Sequence, residues 1–338
     1  MSELHPVEAA WRRFRKSDRY ELLAWARAAQ QSYLDFLGLK RCPPEIALPW
    51  GVVWNRVTLD EARARVEQTR GEISVDGALL VNTIHVWAAY REAKTIYTIE
   101  PALAECLSRS PWPAATPTAA LRLSSRCPIL SIPRGDTTIH LAATYDLVTG
   151  DELSGALELH ISQYEDDLLV PQSVLQLTRE TLSECVAAAD AAAARSGSPE
   201  GLVAQRFTNP TAGLALTLLL YLGGEPDIVR EVHPGERPMR DAVRRRDPER
   251  WADLHYPVQY SVGSQFRRAI ERWEIEHARE PGDPTGRHVR PHLRRAHSHL
   301  YWTGKGRKLP RVRFLLPISV RGGRLIEEPE HPSETRVR

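Results

Sequence analysis

Residues 129–163 read ILSIPRGDTTIHLAATYDLVTGDELSGALELHISQ, and the fold class turns on them. Residues 129–132 and 137–145 are rich in β-formers, and 153–163 alternate between apolar and polar after the turn-forming Thr149-Gly150-Asp151. Period-two runs divided by turn residues predict a hairpin or small antiparallel sheet at the centre of the chain. Upstream the period changes. Leu22, Leu23, Ala26, Ala29, Tyr33 and Leu37 recur at helical spacing behind Asp18 and Glu21, which have the polarity of a capping box, and a helix over 18–38 ends near Gly38. Thr58 and Glu61 would open a short helix to about Gln68, and Asp76 would cap a longer one whose stripe is Leu80, Ile84 and Trp87. Prolines 111, 113 and 117 mark a connector.

Downstream of the strands, helix is expected from about Arg179 through the alanine-rich 186–194, and again after Asn209-Pro210, a cap followed by proline at the first helical position. The run 214–222 (LALTLLLYL) is too short to span a bilayer, which needs about 18 apolar residues or more, and reads as a core helix. The charged stretch 240–250 reads as a solvated surface. Ser264 would begin a helix with Phe266, Ile270 and Trp273 on one face, and 281–286 (PGDPTG) is a loop. The chain is therefore expected to be α+β: a helical region at 1–110, a central small antiparallel sheet with helices at 125–255, a helix and basic module at 256–326, and a tail at 327–338.

Across 338 residues, 42% apolar and 26% charged composition fits an ordinary globular protein and excludes collagen-like, coiled-coil and wholly disordered classes. Four scattered cysteines with no C-x-x-C pair argue against a zinc knuckle, and read as reduced, mostly buried thiols. The start, MSELHPVEAAWRRFRK, lacks the apolar core of a secretory signal, so a cytoplasmic location away from membranes is expected. Phosphate-loop, dinucleotide, H-E-x-x-H and G-x-S-x-G motifs are absent, and neither a cofactor nor a metal site is assigned. The acidic Glu165, Asp166 and Asp167 read as a turn exposed to water.

Net charge is only +2, but it is unevenly placed. Residues 287–326 hold eleven Lys and Arg and no Asp or Glu, whereas 1–286 hold 32 basic against 39 acidic residues. Within this block, 290–302 (RPHLRRAHSHLYW) laid out as a strand puts Leu293, Arg295, His297, His299 and Tyr301 on one face and His292, Arg294, Ala296, Ser298, Leu300 and Trp302 on the other. Residues 303–307 (TGKGR) form a flexible basic turn, and 311–320 (RVRFLLPISV) return as a second strand in which Pro317 forces an edge or bulge. Guanidiniums with no carboxylate nearby suit phosphate oxygens, and Tyr301 and Trp302 could stack on unpaired bases. The candidate RNA- or ribosome-contacting residues are thus Arg290, His292, Arg294, Arg295, His297, His299, Tyr301, Trp302, Lys305, Arg307, Arg311 and Arg313. Three other readings stay open: the cations neutralise the acidic body of the same chain; histidines with His288 ligate a metal; or His292, His297 or His299 cleaves RNA with Arg294 or Arg295 stabilising the phosphorane.

The string Arg290-Pro291-His292, Arg294-Arg295, His297, His299, Tyr301-Trp302, Gly304, Gly306, Arg311-Val312-Arg313 and Pro317 resembles the C-terminal motif of the second family of type V-A anti-CRISPR proteins. Glu225-Pro226-Asp227-Ile228, the stretch from Leu130 to Pro133, and the region of Trp87, Tyr90, Arg91, Ile96 and Tyr97 are similar in order and spacing. The resemblance implies a non-enzymatic protein, phage- or plasmid-borne, that recognises the N-terminal or nascent segment of the type V-A CRISPR effector nuclease and causes loss of its messenger. On that reading the basic module contacts RNA or the ribosome, and an RNA endonuclease using the same histidine and arginine cluster is the alternative.

Overall fold

The computed structural model describes residues 4–55, 75–110, 112–147, 156–166, 168–195, 210–224, 228–231, 246–264, 266–268, 271, 292–294, 297–315 and 318–320. The N-terminal part contributes α1 (Pro6–Phe14), α2 (Arg19–Phe36), α3 (Val75–Ala93), β1 (Thr95–Ile99) and α4 (Pro101–Ser108). Then come β2 (Pro128–Arg134), β3 (Thr137–Leu147), β4 (Leu157–Glu165), β5 (Leu168–Gln176), α5 (Leu182–Arg195), α6 (Pro210–Gly223), β6 (Ile228–Glu231), α7 (Pro248–Leu254) and β7 (Val258–Val262). The C-terminal block gives β8 (His292–Arg294), β9 (His297–Thr303), β10 (Leu309–Leu315) and β11 (Ile318–Val320).

The central sheet is larger than the small antiparallel one expected. Seven strands run in the order β5-β4-β3-β2-β1-β7-β6 and draw on all three expected regions. β2, β3 and β4 form the antiparallel sheet read from the sequence and an unread fourth strand, β5, extends it, but β1 lies parallel to both β2 and β7. The sheet is therefore mixed. Its two unforeseen inner strands, TIYTI and VQYSV, are five residues each. Parallel strands covered on both faces give no clean alternation, so a short one is easily absorbed into a neighbouring helix or loop.

The helices expected over 18–38 and from Asp76 form, but not on the caps read for them: Asp18 precedes α2 without a side-chain capping bond, and α3 begins at Val75, before Asp76. Thr181 and Glu184 bond each other's backbone N–H reciprocally at the start of α5, and Pro210 opens α6 as expected. α6 is the core helix foreseen at 214–222, with Leu216, Leu218, Leu219 and Leu220 fully enclosed. Pro111 and Asn209, the expected helix at 58–68, the turn at 149–151, the run 240–245, the loop at 281–286 and the tail lie outside the described residues. All four cysteines are free, with Cys127 and Cys185 buried. No helix among the described residues is long and apolar enough to cross a membrane.

Two hydrophobic clusters sandwich the sheet. On one face Leu130, Ile132, Leu141, Ala143, Tyr145, Leu159, Ile161 and Leu175 pack against α4 and α6. Enclosing a leucine or isoleucine there contributes about 1.5–3 kcal/mol. On the other face Ile129, Ala142 and Leu169 meet α1 and the all-round buried α3, where Trp11, Trp87 and Tyr90 pack ring on ring. A polar tie anchors this second layer. Buried Lys94 donates from Nζ to the carbonyls of Asp253 and His255, at 3.0 and 2.8 Å, beside the Glu8 carboxylate. Glu8 also accepts from Tyr90 Oη and Arg12 Nε, while Arg91 Nε and Tyr20 Oη both donate to Asp253. Burial lowers the Lys94 ammonium to about 8, with Glu8 opposing that shift.

Candidate nucleic-acid interface

The basic block folds as the two-stranded ribbon its alternation calls for, in two short lengths. β9 and β10 pair antiparallel from Thr303 opposite Leu309 to His297 opposite Leu315, and β8 pairs with β11. Pro317, expected to force an edge or bulge, lies outside the described residues. The turn has Gly304, Gly306 and Arg307 all at positive φ, 78°, 75° and 52°. Thr303 Oγ1 closes it by donating to the Leu309 carbonyl at 3.1 Å.

Alternation gives the ribbon two unlike faces. Leu300, Val312 and Phe314 turn inward onto the apolar cluster, with the Phe314 ring 5.7 Å from that of Tyr221 on α6. The approach is close enough to dictate a residue type. A Cβ at Gly224, just past α6, would collide with the Val312 carbonyl, so the ribbon backbone can seat only on glycine. The opposite face carries His299, Tyr301, Arg311 and Arg313. The His299 and Tyr301 rings lie 4.5 Å apart, and the Arg313 guanidinium sits 5.8 Å from the Tyr301 ring centre. His299 and Tyr301 are exposed, as are Lys305, Arg307 and Lys308 at the tip. Trp302 belongs by register to the inward side but lies at its open end, 49% exposed.

The expected site residues thus divide. His299, Tyr301, Trp302, Lys305, Arg307, Arg311 and Arg313 are gathered on one projection, clamped from behind. His292 and Arg294 belong to β8 and His297 to β9 by backbone position, while Arg290 and Arg295 lie outside the described residues. A rigid platform with aromatic rings, guanidiniums and a cationic tip is suited to stacking bases and holding phosphates.

A second group of polar residues went unread in the sequence. On the α3 side of the sheet, Asp146 and Glu158 stand directly opposite each other on β3 and β4, and His160 lies two residues along. His160 Nε2 is 2.8 Å from Glu158 Oε1 and 4.0 Å from Asp146 Oδ2. Asp146 accepts from the backbone N–H of Trp50 and of Leu147. Burial, despite His160 and those bonds, lifts its carboxyl to about 7. Next to it His85 Nδ1 must donate to the Leu48 carbonyl, so its Nε2 accepts from Thr144 Oγ1. Burial, then His160, lowers His85 to about 3. Further along the same face His5 Nε2 and His140 Nδ1 flank Ser131 Oγ at 2.9 and 3.0 Å. The signal available was the polar half of ELHIS, an alternation that reads equally as a wet face.

Fold and platform together define a mixed α/β protein that presents a basic, aromatic hairpin from one side of its sheet. Its kinship is narrower than that. A family described as AcrVA2-like, the anti-CRISPR type V subtype A2 family, matches residues 97–322, and the chain belongs to it. The crystal structure of AcrVA2 covers 94% of this chain and 100% of its own length at a TM-score of 0.61 and 20% identity, which shows a shared fold. No curated protein matches the chain.

Proposed function

We propose that this chain silences a type V-A CRISPR effector nuclease by binding the effector polypeptide as it is made and bringing about loss of its messenger, with the C-terminal ribbon contacting RNA or the ribosome. Membership of the anti-CRISPR family supports the target class. The observation that carries the nucleic-acid half is the amphipathic ribbon: Val312 is sealed on the core while Tyr301, Lys305 and Arg307 face water. Such a face attracts a polyanion by charge and holds unpaired bases by stacking, worth about 1–3 kcal/mol per base. A protein with an acidic helical body and this separate basic projection can engage a cationic nascent segment and its messenger at once. The conclusion is an adaptor that works through binding.

The test is co-expression of the chain with a type V-A effector, reading messenger level and capture of the effector's N-terminal segment. The combined variant Tyr301→Ala, Lys305→Gln and Arg307→Gln should restore the messenger and keep the peptide capture. Undiminished silencing, or loss of silencing and capture together in a folded variant, overturns this division of labour. Purified protein incubated with RNA separates adaptor from endonuclease: the adaptor leaves RNA intact, whereas cleavage abolished by His299→Ala assigns the ribbon a catalytic role.

A further inference from the structure

We infer that Asp146, Glu158 and His160 form a binding site for one divalent first-row transition-metal ion, of the Zn2+ or Mn2+ kind. Their ligand atoms all lie within 4.8 Å of one another. An ion with bonds of about 2.0–2.2 Å to carboxylate oxygen and imidazole nitrogen separates its ligands by roughly 3–4.4 Å, so side-chain adjustments below about an ångström close the trio around it. The donor set, two oxygens and one nitrogen, suits such an ion and falls short of the six to eight oxygens that calcium takes.

Charge gives the independent reason. Like charges directly opposite across an antiparallel pair destabilise a sheet, and Asp146 faces Glu158 in register. The pair lies on the covered side, with Asp146 and His160 only 3% and 8% exposed. Among the described residues neither carboxylate forms a salt bridge with a lysine or arginine; both lie within 4.0 Å of the His160 imidazole. A divalent ion between the two strands would bind both carboxylates and take the imidazole nitrogen as its third ligand.

The surroundings are also those of a held ligand. The N–H groups of Trp50 and Leu147 fix the Asp146 carboxylate, at 2.9 and 2.7 Å, and leave lone pairs on both oxygens. His85, whose ring centre is 5.5 Å from that of His160, has both nitrogens engaged and bounds the site without entering it. Glu158, 15% exposed at its side chain, stands at the rim, where an ion would enter and water would complete the coordination. The site lies on β3 and β4, away from the ribbon, so binding there is separable from messenger silencing.

The test uses the full chain, stripped with chelator and titrated by calorimetry with ZnCl2 and, separately, MnCl2. Wild type should take up one ion per chain with a rise in melting temperature. Glu158→Gln should weaken uptake at least tenfold, and His160→Gln should do the same, so the test survives if one variant does not fold by circular dichroism. His299→Ala, which alters the exposed ribbon, should bind as wild type does. No saturable uptake by wild type, or uptake undiminished by Glu158→Gln, overturns the assignment.

Discussion

The same strands build the two faces of the central sheet by opposite rules. Toward α4 and α6, β3 and β4 present Leu141, Ala143, Tyr145, Leu159 and Ile161, which need only shape. Toward α3 they present buried Thr144, Asp146, His160 and Ser162 and half-buried His140, and each needs a named partner. An apolar face degrades in proportion to the volume removed, and its neighbours can partly relax. A covered polar face fails group by group, because an orphaned donor, acceptor or charge keeps its full desolvation cost.

The comparison breaks most visibly at the charges. Glu8→Ala removes the carboxylate beside a Lys94 that is wholly buried, and should destabilise by about 3–5 kcal/mol in chemical denaturation, since it strands a buried cation. Leu159→Ala, equally buried on the apolar side, should cost about 2–5 kcal/mol, the exact figure following the cavity left. Lys94→Met is the sharper companion: with Glu8 still bonded to Arg12 and Tyr90, much of the loss should return when Glu8→Gln is added, a coupling no pair of leucines would show.

Shape-preserving exchanges should separate the faces with less damage. Thr144→Val keeps the volume but removes the hydroxyl that donates to His85 Nε2, leaving a buried acceptor unmet at about 1–3 kcal/mol. Leu141→Met on the opposite face conserves volume and should cost less than about 1.5 kcal/mol. Equal midpoints for the two variants would mean that the polar face is wetter than its burial implies.

Much of this was legible in the chain, for identifiable reasons. The ribbon was readable because HSHLYWT and LPRVRFL alternate and are joined by glycines that accept positive φ. β2, β3 and β4 were readable for the same cause, whereas β5 went unread. β1 was not readable, because TIYTI sits between two parallel neighbours and is buried at all but Thr98; nor was β7, whose VQYSV, parallel to β1 and antiparallel to β6, is half-buried on both sides up to the buried Val262. The polar face escaped for a subtler reason. In LELHISQYE the period of two correctly separates Leu159 and Ile161 from Glu158, His160 and Ser162, yet period reports which side a residue faces and nothing of what covers that side. The cover is α3, more than sixty residues away in sequence, and only its Asn82, Thr83 and His85 hint that the helix expects polar company.

The gentlest probe of the polar face is pH, read at its N-terminal corner. His5 accepts at Nδ1 from the Val7 N–H, so its Nε2 carries the hydrogen and donates to Ser131 Oγ, which in turn donates to His140 Nδ1. Every acceptor position is used, and a proton added to either ring has to break a bond. Burial, reinforced by neighbouring His140, lowers His5 to about 3, and burial lowers His140 as well; Tyr164, bonded by Arg13, is the other polar ring at this corner. Because the folded pKa values lie below the unfolded value of about 6.5, the unfolded chain binds the protons first. Stability from this corner is therefore complete above about pH 6.5 and falls as pH drops toward the folded value, by at most about 1.4 kcal/mol per pH unit for each ring. His5→Gln should lose a modest amount at pH 8, about 0.5–2 kcal/mol for the weakened helix cap, and then show a shallower acid limb between pH 6 and 4 than wild type. Parallel acid limbs would place the proton uptake elsewhere and leave the corner as packing alone.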